Sequence, residues 1–218
     1  MPSTNQKKPR AHFRRVAPDD RARQLAEATL RCIQKKGSAG ISARQIAAEA
    51  GVTQGLITHH FGEIGELVAY AFDVMSEGLL EAIMAATEAA PNTPQARLEA
   101  YIQASFSQSF FDQEVLRVWV VFWGLILHSP RMSSSQKREY SGFLTSIERL
   151  LIDLAANEGF VIADTRLAAI AFNALLDGLW LAWCLNPEAF RPEEGAALCR
   201  QWVEGLRRGA SAQHQAGS

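Results

Sequence analysis

Apolar positions recur every three or four residues along nearly the whole chain, and strict apolar–polar alternation is absent. Gly/Asn turn pairs between β-branched runs are missing. Alanine and leucine, both good helix formers, dominate. The pattern predicts an all-α chain of about nine helices. Asp19 or Asp20 is the expected N-cap of a first helix that ends at Lys36, before Gly37, with Leu25, Ala26, Thr29 and Ile33 as its apolar stripe. Ser42 and Gln45 have capping-box spacing over a short helix that carries Ile46, Ala47 and Ala50 and stops at Gly51. Thr53 is placed to cap a third helix to His60, and Gly62 breaks it. A long helix from Ile64 to Ala89 is closed by Pro91 and Pro94. Further helices are expected over 95–111, 113–127, 132–157, 165–185 and 193–208. His128, Ser129 and Pro130, then Gly159, then Pro187 mark the breaks between them.

These boundaries suggest four segments: a flexible basic arm (1–17), a compact three-helix head (18–63), a larger helical domain (64–208) and a flexible tail (209–218). With 218 residues there is room for a real core, and 48% hydrophobic content excludes a disordered chain. Net charge is only −1, but its distribution is uneven. Residues 1–60 hold eleven Lys/Arg against four Asp/Glu, and the rest holds eleven against nineteen. A basic head on an acidic body suggests that the head meets a polyanion. Cys32, Cys184 and Cys199 are too few and too scattered for a disulfide framework or a metal knuckle. They read as packing residues, and a reducing cytoplasm fits them. Residues 167–185 have spanning length, but Asn173 and Asp177 interrupt them, so a buried helix is expected and no membrane partner. The charged N-terminus has no apolar run behind it, so no signal peptide is read.

The strongest local signal is ISARQIAAEAGVTQGLITHHF, residues 41–61. It reads as helix, tight turn, helix. Ile46, Ala47, Ala50, Val52, Ile57 and Phe61 supply a small core, and Gly51 sits where the turn wants a left-handed backbone. Such a helix-turn-helix places its second helix in the DNA major groove. Thr53, Gln54, Thr58, His59 and His60 would face the bases, and Gly55 would allow close approach. Arg44 and the arm residues Lys7, Lys8, Arg10, Arg14 and Arg15 could neutralise phosphates. His12, His59 and His60 do not suggest a metal, since adjacent helical residues point about 100° apart. No catalytic triad order, nucleophile elbow, phosphate loop or paired helical His motif occurs. Neither an enzyme nor a cofactor is therefore expected.

The segment from Ala22 to Leu67 resembles the N-terminal domain of the TetR family of one-component transcriptional regulators. The matching run is AGVTQGLITHHFGEIGEL, from Ala50 to Leu67, which keeps Gly51, Val52, Gly55, His60 and Phe61. It departs from the family pattern at Thr58, where many members carry Tyr, and at Ile64, where most carry a phosphate-contacting Lys. Residues 118–132 (VWVVFWGLILHSPRM) and 174–187 (ALLDGLWLAWCLNP) resemble the choline-responsive BetI branch, which represses glycine-betaine synthesis genes. The resemblance implies an N-terminal helix-turn-helix DNA-binding domain and a C-terminal helical domain for ligand binding and dimerisation. It also implies a homodimer on a palindromic double-stranded DNA operator, released by a small-molecule effector. The last two helices, with Leu167, Ile170, Leu198, Trp202 and Leu206, would form the dimer interface.

Spacing then indicates which side chains suit a cationic effector. Trp119 and Trp123 are four apart, Asn173, Asp177 and Trp180 share another helical face, and Phe106 and Phe110 form a third pair. An aromatic cage with one carboxylate is what a quaternary ammonium would want. The same aromatics at helical spacing also suit a plain core, and Asp177 could instead cap a helix or pair with an arginine. Glu114 and His128 are further pocket candidates near helix ends, whereas Trp183 and Trp202 suit packing or a subunit interface. A neutral aromatic, a lipid-like acid or a polyamine would be alternative effectors. A helical hairpin that binds protein is the alternative reading of the head.

Overall fold

A computed structural model describes the chain over residues 18–216, with side chains placed from 20 to 209. The basic arm, His12 and the last two residues lie outside the described residues. Within them the protein has nine α-helices and no strand.

The head is α1 (Pro18–Lys36), a short 3-10 turn (Gly37–Gly40), α2 (Ala43–Ala50) and α3 (Gln54–Phe61). Helix α1 starts at Pro18, so Asp19 and Asp20 sit in its first turn and neither is its cap. Proline is well suited to that start, because the missing N–H would be unpaired there anyway. Two rows of α1 serve two cores. Leu25, Ala28 and Cys32 join Ile46, Ala47, Ile57 and Leu67 in a small core under the head. Ala26 and Ile33 face the other way, into the large core of the body. The expected stripe is buried throughout, Thr29 included, whose hydroxyl donates to the Leu25 carbonyl at 2.8 Å.

Ser42 caps α2 by accepting the Gln45 N–H at 3.3 Å, a contact of about 1 kcal/mol. The reciprocal half of the box is not made. The Gln45 amide donates to the Ala39 carbonyl instead, and the Ser42 N–H donates to the Gly40 carbonyl. Thr53 occupies the N-cap position of α3, but its hydroxyl accepts no capping bond. The turn between the two helices rests on Gly51 at φ 67°, a left-handed conformation that glycine adopts without strain. Gly62 ends α3 at φ 72° and ψ −66°, another positive-φ conformation that favours glycine.

The body begins with α4 (Ile64–Ala89), which runs from the head through the centre of the large core. It continues through α5 (Pro94–Ser105), α6 (Gln113–Ile126), α7 (Pro130–Glu158), α8 (Thr165–Leu185) and α9 (Pro192–Ala216). Helix α5 ends at Ser105, six residues before the expected end. The Ser105 hydroxyl bonds the Tyr101 carbonyl, and the N–H groups of Phe110 and Phe111 both turn back to the Ser107 carbonyl. Helix α9 continues to Ala216, beyond the expected 208.

Phe72 of α4 is fully buried, with Trp119 and Phe122 of α6 edge-on at 5.8 and 5.4 Å. Each such pair contributes roughly 0.5–1.5 kcal/mol beyond area burial. This cluster fixes α6 against α4. Helix α6 also packs on α1 and on the 3-10 turn, so the body touches the head through two helices. The apolar helix α8 has the length to cross a membrane, but Phe172, Leu176, Trp180 and Cys184 place one face of it in the bundle core.

Candidate functional site

The head presents a two-faced α3. Leu56, Ile57, His60 and Phe61 turn inward, with Ile57 fully buried. Thr53, Gln54, Gly55, Thr58 and His59 are exposed along the opposite side. Arg44, near the start of α2, is exposed as well. The expected base-facing residues of α3 thus share its exposed side, except for His60. That ring is half-buried, edge-on to His59 at 5.4 Å and 6.4 Å from Phe61. Phe61 in turn rests 5.6 Å from Tyr70 of α4, which ties α3 to the long helix. Ile64, where the family pattern has a lysine, packs into both cores at the junction of head and body. Its apolarity serves that junction. Glu49 accepts from Arg31 at 2.9 Å and Lys35 at 2.7 Å, which holds α2 on α1. Those two bonds lower the Glu49 carboxyl from its usual range, the Lys35 contact most.

The body holds a cavity of about 60 Å³ walled by α4, α5, α6, α7 and α8. That is room for a handful of waters or a small organic molecule. Trp119, Trp123, Asn173, Asp177 and Trp180 all line it, as the spacing suggests. Phe110 does not line it. The end of α5 at Ser105 breaks the helical register, so Phe106 and Phe110 do not share a face. Phe106 instead pairs with Phe111 at 5.1 Å, and Phe111 stacks on Trp183 at 4.5 Å. Those rings and Trp202, which lies 5.4 Å from Phe172, are core. Glu114 and His128 are exposed and lie outside the cavity wall.

Five further wall residues were not among the sequence candidates: Tyr101 from α5, and Gln136, Glu139, Tyr140 and Phe143 from α7. Helix α7 reads as a surface helix over that stretch, and the wall emerges only when α4 and α8 pack on it. A periodicity of three to four in Gln136, Glu139, Tyr140 and Phe143 was the available clue.

Asp177 is the chemical centre of the cavity. Its Oδ2 accepts from the Asn173 amide at 2.9 Å. Among the described residues no Lys, Arg or His lies within 4 Å of its carboxylate. Burial pushes its pKa up to about 6, against a smaller lowering by the Asn173 bond. Burial also raises the Tyr101 and Tyr140 phenols, and the Asp177 charge adds to both. The indole N–H of Trp180 is buried without a hydrogen-bond partner. The site thus combines aromatic faces, a desolvated carboxylate and no internal cation to neutralise it.

Two family descriptions match the chain. Residues 25–71 match the bacterial regulatory proteins of the tetR family, and residues 94–208 match the C-terminal domain of BetI-type transcriptional repressors. The HTH-type transcriptional regulator BetI of Pectobacterium carotovorum strain PC1 is 32% identical over 192 residues, 84% of this chain and 92% of that protein. The chain belongs to the BetI-type regulators of the TetR family. BetI of Serratia proteamaculans is similar at 30% identity, over 87% of this chain and 93% of its own. Among solved structures, one from Pseudomonas aeruginosa PAO1, described as a transcriptional regulator, has a TM-score of 0.84 and 37% identity, covering 93% of this chain and 98% of its own. A regulator from Saccharomonospora viridis, solved in complex with choline, shares the fold with a TM-score of 0.75 at 17% identity, over 85% and 96% of the two chains. As a BetI-type member of the TetR family, this chain is a transcriptional regulator and not an enzyme.

Proposed function

We propose that this BetI-type regulator is a cytoplasmic repressor that releases its operator on binding choline or a related small quaternary amine, in control of glycine-betaine synthesis. The observation that carries the reading is Asp177: a carboxylate in an aromatic wall, with no protein cation beside it. A ligand cation would supply the missing charge, and Trp119, Trp123 and Trp180 would supply cation–π contacts of roughly 0.5–2 kcal/mol each. The small cavity favours such an amine over a lipid-like acid, which would also bring a like charge to Asp177. The choline complex of the Saccharomonospora viridis protein, on the same fold, supports the choice.

In this reading Gln54, Thr53, Gly55, Thr58 and His59 meet base edges in the major groove, with His60 at the margin of the face, and Arg44 meets phosphate. One recognition helix reads few base pairs, so a homodimer on a palindrome is expected. Exposed Leu167, Leu181 and Leu198 on α8 and α9, with half-buried Ile170, Trp202 and Leu206, offer its interface. The effector acts by favouring one setting of α4, whose Ser76, Leu79 and Ile83 are cavity wall and whose first turn abuts α3.

A gel-shift titration against DNA upstream of the gene, with and without millimolar choline, tests this. A retarded band that choline dissolves is the expected result. Trp180→Ala should lose the choline response by at least tenfold and still retard the DNA. A band that choline leaves untouched sends the effector search to other amines and apolar molecules, and no band at low salt overturns the DNA reading of α3.

A further inference from the structure

The cavity has a second carboxylate. Glu139 of α7 lines its wall and is buried, with 7% of its surface exposed. The nearest cation among the described residues is its chain neighbour Arg138, whose Nε lies 3.4 Å from Glu139 Oε1. Glu139 is raised first by burial and next by the charge of Glu77, with Asp73 adding less and Arg138 opposing. Asp177 is raised by burial alone. The two cavity acids come from different helices, Asp177 from α8 and Glu139 from α7, and are taken as two poles.

The Glu139 pole connects to the long helix. Arg138 Nη2 donates to Asp73 Oδ1 of α4 at 3.0 Å. Arg131 Nη2 donates to the other oxygen of Asp73 at 3.1 Å. Arg131 also bonds Ser135 and, at 3.1 Å, Glu66 in the first turn of α4. Leu67, the next residue, is in the head core. The α4–α7 seam thus sets four acids (Glu66, Asp73, Glu77 and Glu139) around two arginines. It is short of positive charge, and Arg138 is divided between the cavity acid and the helix acid.

We propose that Glu139 is a second effector pole, and that an effector carrying a hydrogen-bond donor beside its cation is felt by α4 through Glu139, Arg138 and Asp73. This rests on the quaternary-amine reading of Asp177 and adds a chemical class to it. The effector is a cation bearing a hydroxyl or a second amine, as opposed to a bare tetraalkylammonium. When the ligand's donor satisfies Glu139, Arg138 is left to Asp73, and the anchorage of α4 on α7 is reset. A ligand shifts a conformational equilibrium only through contacts that differ between the two states. A bare cation fills the aromatic cage but makes no contact at the seam.

The test uses calorimetry with choline and with tetramethylammonium, alongside operator release. Wild type should bind choline about tenfold more tightly than tetramethylammonium. Glu139→Gln should bring choline down to the affinity of tetramethylammonium and leave the latter within twofold, which also reports an intact cavity. Arg138→Gln should still bind choline but need at least fivefold more occupancy-equivalent choline to release the operator. Equal loss of both amines in Glu139→Gln, or no loss of either, overturns the second pole. Wild-type release in Arg138→Gln overturns the relay. If wild type binds neither amine, the reading of Asp177 fails first, and this inference falls with it.

Discussion

The head and the body of this regulator place their chemistry on opposite sides of their cores. In the head, a small apolar cluster holds α2 and α3 so that Thr53, Gln54, Gly55, Thr58 and His59 point outward. All of them come from one short stretch of chain. In the body, the polar groups point inward, to a cavity whose wall is drawn from five helices between Ser76 and Trp180. In the proposed reading the head is a surface that must fit a groove. The body is a shell that can fill or empty. A surface built from neighbouring residues needs only its local turns to be right, whereas a cavity needs several long helices in register. The two meet at α1, which gives one row of side chains to each core, and at Ile64, which packs into both.

The largest effect should follow from a methyl group at Gly40. A Cβ there would lie 2.2 Å from the Cys32 carbonyl oxygen and 2.7 Å from its carbon, both backbone atoms that cannot rotate aside. Gly40→Ala must therefore push the 3-10 turn off α1, at a cost of about 3 kcal/mol. Operator binding should be lost in a gel shift, while choline binding measured by calorimetry stays within about threefold. If choline binding disappears too, head and body unfold as one unit and the contrast between them is thermodynamically empty.

The same contrast explains what could be read from the chain. Gly51 and Gly62 end their helices as expected, because a glycine at positive φ is a local event. Trp119 with Trp123, and Asn173 with Asp177 and Trp180, were legible because each set lies on a single helix. Phe110 does not fall on the expected face because α5 ends at Ser105 and the chain turns on backbone bonds to the Ser107 carbonyl, and no glycine or proline announces that end. Tyr101 and Glu139 were not legible as site residues, since their neighbours in the cavity come from other helices. Only half of the capping box forms for a related reason: the Gln45 side chain found the Ala39 carbonyl, a partner that only the folded turn offers.

An effect of intermediate size should come from Asp177→Asn. The folded protein holds the Asp177 proton to about pH 6, against an ordinary value of 3.8. The folded state thus binds the proton more tightly than the unfolded state does. Ionised Asp177 opposes folding of the empty protein: its cost is absent below pH 3.8, grows between 3.8 and about 6, and is full above that. The shift corresponds to at most about 3 kcal/mol. Asp177→Asn should therefore be more stable than wild type to urea at pH 7.5, and the two should converge near pH 4. Choline affinity of wild type should fall as the pH drops below 6, and the variant should bind weakly with no such dependence. A variant less stable than wild type at pH 7.5 would make Asp177 a structural residue like those of the core.

The smallest effects separate two residues of the head that are both exposed. Gln54 opens α3 and carries an amide, which can pair with an adenine edge through a donor and an acceptor together. Gln54→Ala should lose about 1–3 kcal/mol of discrimination between operator and a base-substituted site, with little change on random DNA. Arg44 carries charge without such a code. Arg44→Ala should weaken operator and random DNA alike, and should lower the slope of log affinity against log salt by about one. The decisive measurement is a salt titration of both variants on both DNAs. If Gln54→Ala changes the salt slope, or Arg44→Ala changes discrimination, then the outward face of α2 and α3 does not divide into reading and anchoring residues. It would then act as one electrostatic patch, and sequence recognition would have to come from DNA shape or from the basic arm that precedes Pro18.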